Sequence, residues 1–172
     1  PVSMQNARDL RQYCDRHGIR IYLDATRMVE NAFFIQEREP GYAEKSIAEI
    51  LKEFCSYTDG AWMSAKKDNL VNIGGWLAMN HEDLYEKASN LVVIYEGLHT
   101  YGGMAGRDME ALAIGIEECM QDQHVRSRIG QVRYLAELLD DWQIPMVQPV
   151  GGHAIFLDAR AFYPQLTQDQ FP

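Results

Sequence analysis

The stretch Ile19-Arg20-Ile21-Tyr22-Leu23-Asp24-Ala25-Thr26-Arg27 decides the fold class of this chain. Its first half is rich in β-branched and aromatic residues and predicts a short strand, which ends abruptly in a polar cluster. Polar side chains at the carboxyl end of a buried strand mark the edge at which open α/β sheets bind ligands. We therefore expect a ligand site where this strand ends, at Asp24.

Helical patterns lie on both sides of this strand. Apolar residues recur at helical spacing over 4–14, and Ser3 and His17-Gly18 are typical of the two ends of a helix. A second helix is predicted from Met28 to Glu37, and the capping box Ser46-Ile47-Ala48-Glu49 begins a third.

Further strands are predicted at 61–64 and 74–79, and strand-like runs occur at 145–147 and 154–158. Helices that alternate with short β-rich runs predict an α/β fold, with a mainly parallel sheet and flanking helices. The apolar spacing from Arg107 to Asp141 predicts one bent helix or two in series.

Composition excludes several classes of protein. A formal net charge of −9 opposes binding to a phosphate backbone, and the longest apolar run, Leu91–Tyr95, is too short to span a bilayer. The three cysteines, Cys14, Cys55 and Cys119, form no CxxC pair, which argues against a disulfide framework or a zinc site. We expect a cytoplasmic protein that binds neither nucleic acid nor membrane. Because the chain begins at Pro1 without an initiator Met, we also expect an internal fragment of a longer protein.

Two adjacent lysines, Lys66-Lys67, lie between a predicted strand and an apolar, glycine-containing segment. A lysine held among apolar groups loses the solvation of its ammonium form, and its neutral amine then becomes a nucleophile or a base. Schiff-base chemistry needs that group. The alternative is that the pair lies on an ordinary solvated turn.

An aldehyde cofactor such as pyridoxal phosphate needs two further partners. An acid near its ring nitrogen keeps the ring protonated, and Asp24 at a strand end is a candidate, although such an aspartate often only caps a helix. Its phosphate needs hydroxyl and amide donors, and Ser64 is a candidate whose alternative is a plain turn serine.

Seven parts of the sequence are recognisable as a set: Pro1–Met4, Tyr22–Arg27, Glu30–Ile35, Met63–Asp68, Val71–Gly75, Glu96-Gly97 with Thr100–Gly103, and Gly151–Ala154 with Phe156–Ala159. Together they resemble the tryptophanase and tyrosine phenol-lyase family of β-eliminating lyases. The resemblance covers nearly the whole chain, in the order and at the spacing of the family.

The resemblance implies an aspartate-aminotransferase-like fold, which is fold type I of the pyridoxal phosphate enzymes. Residues 1–105 would form the C-terminal part of the large cofactor-binding domain. Residues 106–172 would form a long connecting helix and the start of a truncated small domain. The family also implies a pyridoxal 5'-phosphate cofactor, a homotetramer and activation by a monovalent cation such as potassium.

The resemblance also implies a role for individual residues of this chain. Lys67 matches the lysine that binds the cofactor aldehyde and moves the α-proton of the substrate. Asp24 matches the partner of the ring nitrogen, and Arg27 the residue near the phenolic oxygen of the cofactor. Ser64 matches a phosphate ligand, and Lys66 the neighbour that supports the site electrostatically.

Two further positions match outside the strand ends. Asn72 matches a position whose backbone carbonyl helps to hold the cation in some members. Tyr101 matches an active-site tyrosine near the cofactor phosphate and the partner subunit.

The predicted reaction is β-elimination from an aromatic amino acid. Met63–Lys67 and Thr100–Gly103 favour tryptophan, which yields indole, pyruvate and ammonium. Val71-Asn72 and Gly106–Glu110 also suit tyrosine, which yields phenol instead. More remote alternatives are another fold-type-I enzyme, such as an aminotransferase, and a catalytically silent α/β module. The resemblance places the phosphate-gripping, ring-stacking and carboxylate-binding residues outside this chain. We therefore expect the chain of 172 residues to be inactive by itself.

Overall fold

Two units make up the chain, residues 1–125 and residues from 126 onwards, in a computed structural model that describes residues 1–170. The first unit contains five helices and three strands: α1 (Met4–His17), β1 (Tyr22–Asp24), α2 (Met28–Arg38), α3 (Ile47–Cys55), β2 (Gly60–Ser64), β3 (Gly75–Met79), α4 (Glu82–Tyr95) and α5 (Gly106–Glu118). Helix α6 (Asp122–Asp141) runs through the boundary, and α7 (Ala159–Phe162) and a 3-10 turn (Gln168–Gln170) follow. The domain boundary expected at 105/106 stays a prediction.

The predicted helix ends are confirmed at α1 and α3. The Ser3 hydroxyl accepts a hydrogen bond from the Asn6 amide, and Gly18 closes α1 with a left-handed φ of +63°. Ser46 and Glu49 bond reciprocally as a capping box, because each side chain accepts the amide of the other residue.

The sheet has the order β1-β2-β3 and corrects the prediction of a mainly parallel sheet. β1 pairs parallel with β2, but β2 pairs antiparallel with β3 in the register Gly60↔Met79 to Ser64↔Gly75. The segment of residues 65–74 returns the chain directly beside β2, as an antiparallel neighbour allows. The first unit is therefore an α/β unit with a small mixed sheet.

In the C-terminal half one prediction is confirmed, that of two helices in series, and one is corrected, that of further strands. The apolar pattern from 107 to 141 forms two helices in series, α5 and α6, with a break at residues 119–121. The runs at 145–147 and 154–158 form only one antiparallel bridge, Met146↔Leu157, rather than strands. Within residues 1–170 no helix combines the length and the apolar character needed to cross a bilayer.

Helix α2 is the centre of the first unit, with every residue from Met28 to Gln36 buried. A helix that is buried on all sides must satisfy its polar side chains internally. Asn31 does so with Val2: its Oδ1 accepts the Val2 amide at 2.6 Å, and its Nδ2 donates to the Val2 carbonyl at 2.9 Å. Gln36 donates to the carbonyl of Lys45 at 2.7 Å and to Asp122 at 2.8 Å. The polar groups of α2 thus fix the segments that cover it.

A charged cluster joins α1 to α3. Glu53 accepts hydrogen bonds from Arg8 at 2.6 Å, Tyr42 at 2.7 Å and Lys45 at 2.8 Å. Burial raises the pKa of the Glu53 carboxyl, but these bonds outweigh it and lower the pKa from 4.5 to about 2. Glu53 is therefore ionised at neutral pH and holds both helices.

This cluster predicts an acid-sensitive contribution to stability. A carboxyl with a lowered folded-state pKa stabilises the fold above its unfolded pKa and loses that effect as the pH falls, here from about 4.5 to about 2. We expect Glu53→Gln to cost about 1–3 kcal/mol at pH 7, because charged hydrogen bonds are lost. Thermal unfolding followed by circular dichroism should show this cost shrinking towards pH 2. A cost that does not change with pH would contradict the assignment.

Candidate functional site

The ends of β1 and β2 bring the predicted cofactor residues to one edge of the sheet. The two strands run parallel, with Asp24 opposite Trp62, so that both carboxyl ends lie on the same side. Asp24 is the last residue of β1 and Ser64 the last residue of β2. The sequence prediction of a site at this edge is consistent with the observed topology.

Hydrogen bonds tie the segments after the two strands together. The Ala25 amide donates to the Trp62 carbonyl at 2.8 Å, which extends the strand pairing by one residue. The Ser64 amide donates to the Thr26 hydroxyl at 3.2 Å. Thr26 was not among the predicted site residues, although it lies within the polar cluster that ends β1.

Asp24 does not cap the following helix. Helix α2 begins at Met28, and the residue at its N-cap position is Arg27. The Asp24 carboxylate instead accepts the Thr26 amide at 3.1 Å, in an Asx turn. Hydrogen bonds from the side chain and the backbone of Thr26 lower the pKa of Asp24 below its usual value. An exposed, ionised carboxylate therefore stands at the end of β1.

The turn after β2 presents the two lysines to solvent. Lys66 and Lys67 are both exposed, which corrects the expectation of a lysine held among apolar groups. Two hydrogen bonds hold the backbone of the turn in place. The Lys67 amide donates to the Ser64 carbonyl at 3.3 Å, and the Ala65 amide donates to the Gly74 carbonyl at 3.0 Å. The residues that point inward are the next two, Asp68 and Asn69.

Arg27 joins the two strand ends through buried carboxylates. Its Nη1 lies 3.2 Å from Glu30 and 3.3 Å from Asp68. The Glu30 side chain is only 6% exposed and the Asp68 side chain 0%. The sequence prediction missed both acids, although the three-residue spacing of Arg27 and Glu30 on a helix was a usable signal.

Asn69 fixes the other side of the lysine turn. Its Nδ2 donates to the Cys119 sulfur at 3.2 Å, and its Oδ1 accepts the Trp76 indole N–H at 3.1 Å. The Asn69 carbonyl also packs directly against Gly115 of α5, so closely that a Cβ at that position would overlap it. Strand β3 and helix α5 thus support the turn that carries Lys67.

Tyr101 lies elsewhere in the first unit. It is 41% exposed and lines an open groove of about 890 Å³, formed by β3, α4, α5 and the loop of residues 96–104. Trp76, Ser89 and Met109 contribute side chains from the three elements. The structure therefore places Tyr101 in this groove, whereas the other residues predicted to bind the cofactor lie where β1 and β2 end.

The predicted cation position, Asn72, is exposed on the segment between the lysine turn and β3. Among residues 1–170 no group of three or more His, Cys, Asp or Glu side chains is arranged to hold a metal. A cation held by backbone carbonyls is a different kind of site, and the role of Asn72 stays a prediction.

The side chains at the strand edge fit the chemistry of pyridoxal phosphate. Exposed Lys67 offers an amine for the aldehyde, and ionised Asp24 offers a charge for a protonated ring nitrogen. The Ser64 hydroxyl and the Lys66 ammonium suit a phosphate, and the Arg27 guanidinium suits an anionic oxygen. The individual roles of these residues stay predictions.

Comparison with known proteins adds independent information. A sequence profile of the beta-eliminating lyase family matches residues 1–167. All 172 residues align with a tyrosine phenol-lyase of Nostoc punctiforme at 67% identity, one of Symbiobacterium sp. at 63% and one of Clostridium tetani at 58%. The chain covers 37%, 38% and 37% of the length of these three proteins.

The contact between Gly115 and Asn69 predicts a sensitive glycine. We expect Gly115→Ala to destabilise the protein by about 1–3 kcal/mol, because the added methyl must displace the Asn69 backbone and with it the lysine turn. Gly130→Ala is the matched control, since nothing lies near a Cβ at that helical position and alanine favours a helix by about 1 kcal/mol. Thermal unfolding of both variants checks this, and equal midpoints would contradict the close contact.

Proposed function

This chain belongs to the beta-eliminating lyase family, and on that basis we propose that the full-length protein is a pyridoxal-phosphate-dependent carbon-carbon lyase acting on an aromatic amino acid. The observation that carries the proposal is the cluster of Asp24, Arg27, Ser64 and Lys67 at the shared end of two parallel strands. Such an edge is where α/β sheets bind ligands, and the cluster offers a group for each reactive part of the cofactor.

Tyrosine is the proposed substrate. Each of the three relatives reported above is named a tyrosine phenol-lyase, and the identity reaches 67% over the whole chain. The prediction of tryptophan from Met63–Lys67 and Thr100–Gly103 has no support among them. We propose that the protein converts L-tyrosine and water to phenol, pyruvate and ammonium.

Each residue at the site has a separate role in that reaction. Bound pyridoxal phosphate supplies an electron sink for the α-carbon of the amino acid. The Lys67 amine holds the cofactor and then moves the proton at that α-carbon. Asp24 keeps its negative charge, because Thr26 donates to it, and stabilises a proton on the ring nitrogen. Ser64 and Lys66 hold the phosphate, and Arg27 places a positive charge near the phenolic oxygen.

The remaining elements of the proposal concern the whole protein. We propose a homotetramer in the cytoplasm, with Tyr101 exposed towards a partner subunit and a potassium ion held in part by the Asn72 carbonyl. Residues 1–105 would belong to the large cofactor-binding domain of fold type I, and 106–172 to the connecting helix and small domain. Tyr101 and Asn72 are both exposed, which leaves Tyr101 accessible to a partner subunit and the Asn72 position accessible to an ion.

The substrate assignment predicts which product is released. We expect the full-length protein, supplied with pyridoxal phosphate and potassium, to release phenol and pyruvate from L-tyrosine without any keto-acid acceptor. The measurement is chromatography of phenol and indole in parallel reactions with L-tyrosine and L-tryptophan. Faster release of indole would overturn the choice of tyrosine, and dependence on a keto acid would indicate an aminotransferase.

The cofactor assignment predicts a single covalent attachment point. Borohydride reduction of the full-length protein with pyridoxal phosphate should fix the cofactor on Lys67, as read by peptide mapping. Lys67→Ala should lose the adduct and at least about a thousandfold of the activity, because the variant lacks both the attachment point and the base. Lys66→Ala is the matched control and should retain the adduct. An adduct on Lys66, or on no lysine, would contradict the assignment.

A further inference from the structure

We propose that buried Asp68 is a positioning residue, which together with Glu30 holds the Arg27 guanidinium in place. The guanidinium lies at the edge of the sheet where β1 and β2 end, called the cofactor edge below. This inference rests on the proposed function. It concerns two acids that touch Arg27, whereas the proposed function assigns roles only to the residues that face the cofactor.

The first observation is the geometry at one nitrogen. Arg27 Nη1 lies 3.2 Å from the Glu30 carboxylate and 3.3 Å from the Asp68 carboxylate. Glu30 is on α2, whereas Asp68 is on the turn after β2, so the guanidinium is held from two different elements. A guanidinium is planar with fixed donor directions, and two anchors at one end therefore restrict the direction of the rest of the group.

The second observation is burial. The Asp68 side chain is 0% exposed and that of Glu30 is 6% exposed, whereas the Arg27 side chain retains 31% exposure. Moving the guanidinium away would take a positive charge from two carboxylates that water hardly reaches, which costs more than breaking an exposed ion pair. The buried acids thus hold one end of the arginine while part of its side chain stays open to a ligand.

The third observation is the position of Asp68 in the chain. It follows Lys67 directly, and Arg27 lies three residues after Asp24. The Arg27–Asp68 contact therefore joins the segment that carries Lys67 to the segment that carries Asp24. The hydrogen bond from the Ser64 amide to the Thr26 hydroxyl joins the same two segments. Both sides of the cofactor edge are consequently held in one arrangement by two links.

The test measures the dissociation constant of pyridoxal phosphate for the full-length protein in a double-mutant cycle of Asp68→Asn and Arg27→Gln. We expect Asp68→Asn to weaken binding about tenfold, because a charged hydrogen bond that orients Arg27 is lost. In the Arg27→Gln background the same substitution should change the constant less than about twofold, since its effect passes through Arg27.

A spectroscopic readout separates positioning from simple support of the fold. A positive charge near the phenolic oxygen favours the deprotonated form of the bound cofactor. Asp68→Asn should therefore raise the pH midpoint of its visible absorbance change by about half a unit or more. Asp15→Asn is the matched control, because it removes a carboxylate that lies 2.6 Å from Arg11 on the exposed surface of α1, and it should leave both readouts unchanged.

Each outcome bears on the proposal. Equal weakening by Asp68→Asn in both backgrounds, or an unchanged midpoint, would show a structural role only and overturn the inference. If Asp68→Asn does not fold, Glu30→Gln replaces it in the cycle, and unchanged binding and midpoint in that variant would overturn the inference. If the unsubstituted protein binds no pyridoxal phosphate, the proposed function itself fails. Normal binding that Asp68→Asn leaves unaltered contradicts the role of Asp68 alone.

Discussion

The parallel pairing of β1 with β2 is the constraint on which the candidate site depends. Parallel strands place their carboxyl ends on the same side, so residues forty positions apart in the chain, Asp24 and Ser64, reach one edge. The register also lets the Ala25 amide reach the Trp62 carbonyl, which carries the pairing one residue past the strands. An antiparallel pairing of the same segments would put these side chains at opposite ends of the sheet.

Local patterns predicted much of this arrangement. Caps at Ser3, Gly18 and Ser46 involve neighbours in the chain, and the prediction there was correct. The direction of β3 was not predictable in the same way, because a five-residue apolar run carries no signal for parallel or antiparallel pairing. The apolar spacing from 107 to 141 predicted one bent helix or two in series and could not decide between them, because it continues through the break between α5 and α6.

The candidate site shows the same division between local and non-local information. The strand end and the lysine pair stood out in the sequence, but the buried contacts of Asp68 and Asn69 did not. Their partners lie far away in the chain: Arg27 is 41 positions from Asp68, and Cys119 is 50 positions from Asn69. A polar residue that is buried because of a distant partner looks, in sequence, like any residue of a solvated turn. The exposed Lys66 and Lys67 agree with the alternative of a solvated turn, and nothing in the local sequence indicated that the two residues after them are buried.

The loop of residues 96–104, which carries Tyr101, is closed because its two ends lie against each other. A Cβ on Gly97 would lie 2.7 Å from the Gly103 nitrogen, and one on Gly103 would lie 2.7 Å from the Glu96 carbonyl oxygen. The Gly102 amide also bonds to the Leu98 carbonyl at 2.7 Å, inside the loop. Because its ends touch and it bonds within itself, this segment keeps less conformational freedom than an open loop of the same length. A molecule that meets Tyr101 therefore loses less of its affinity to the cost of ordering the loop.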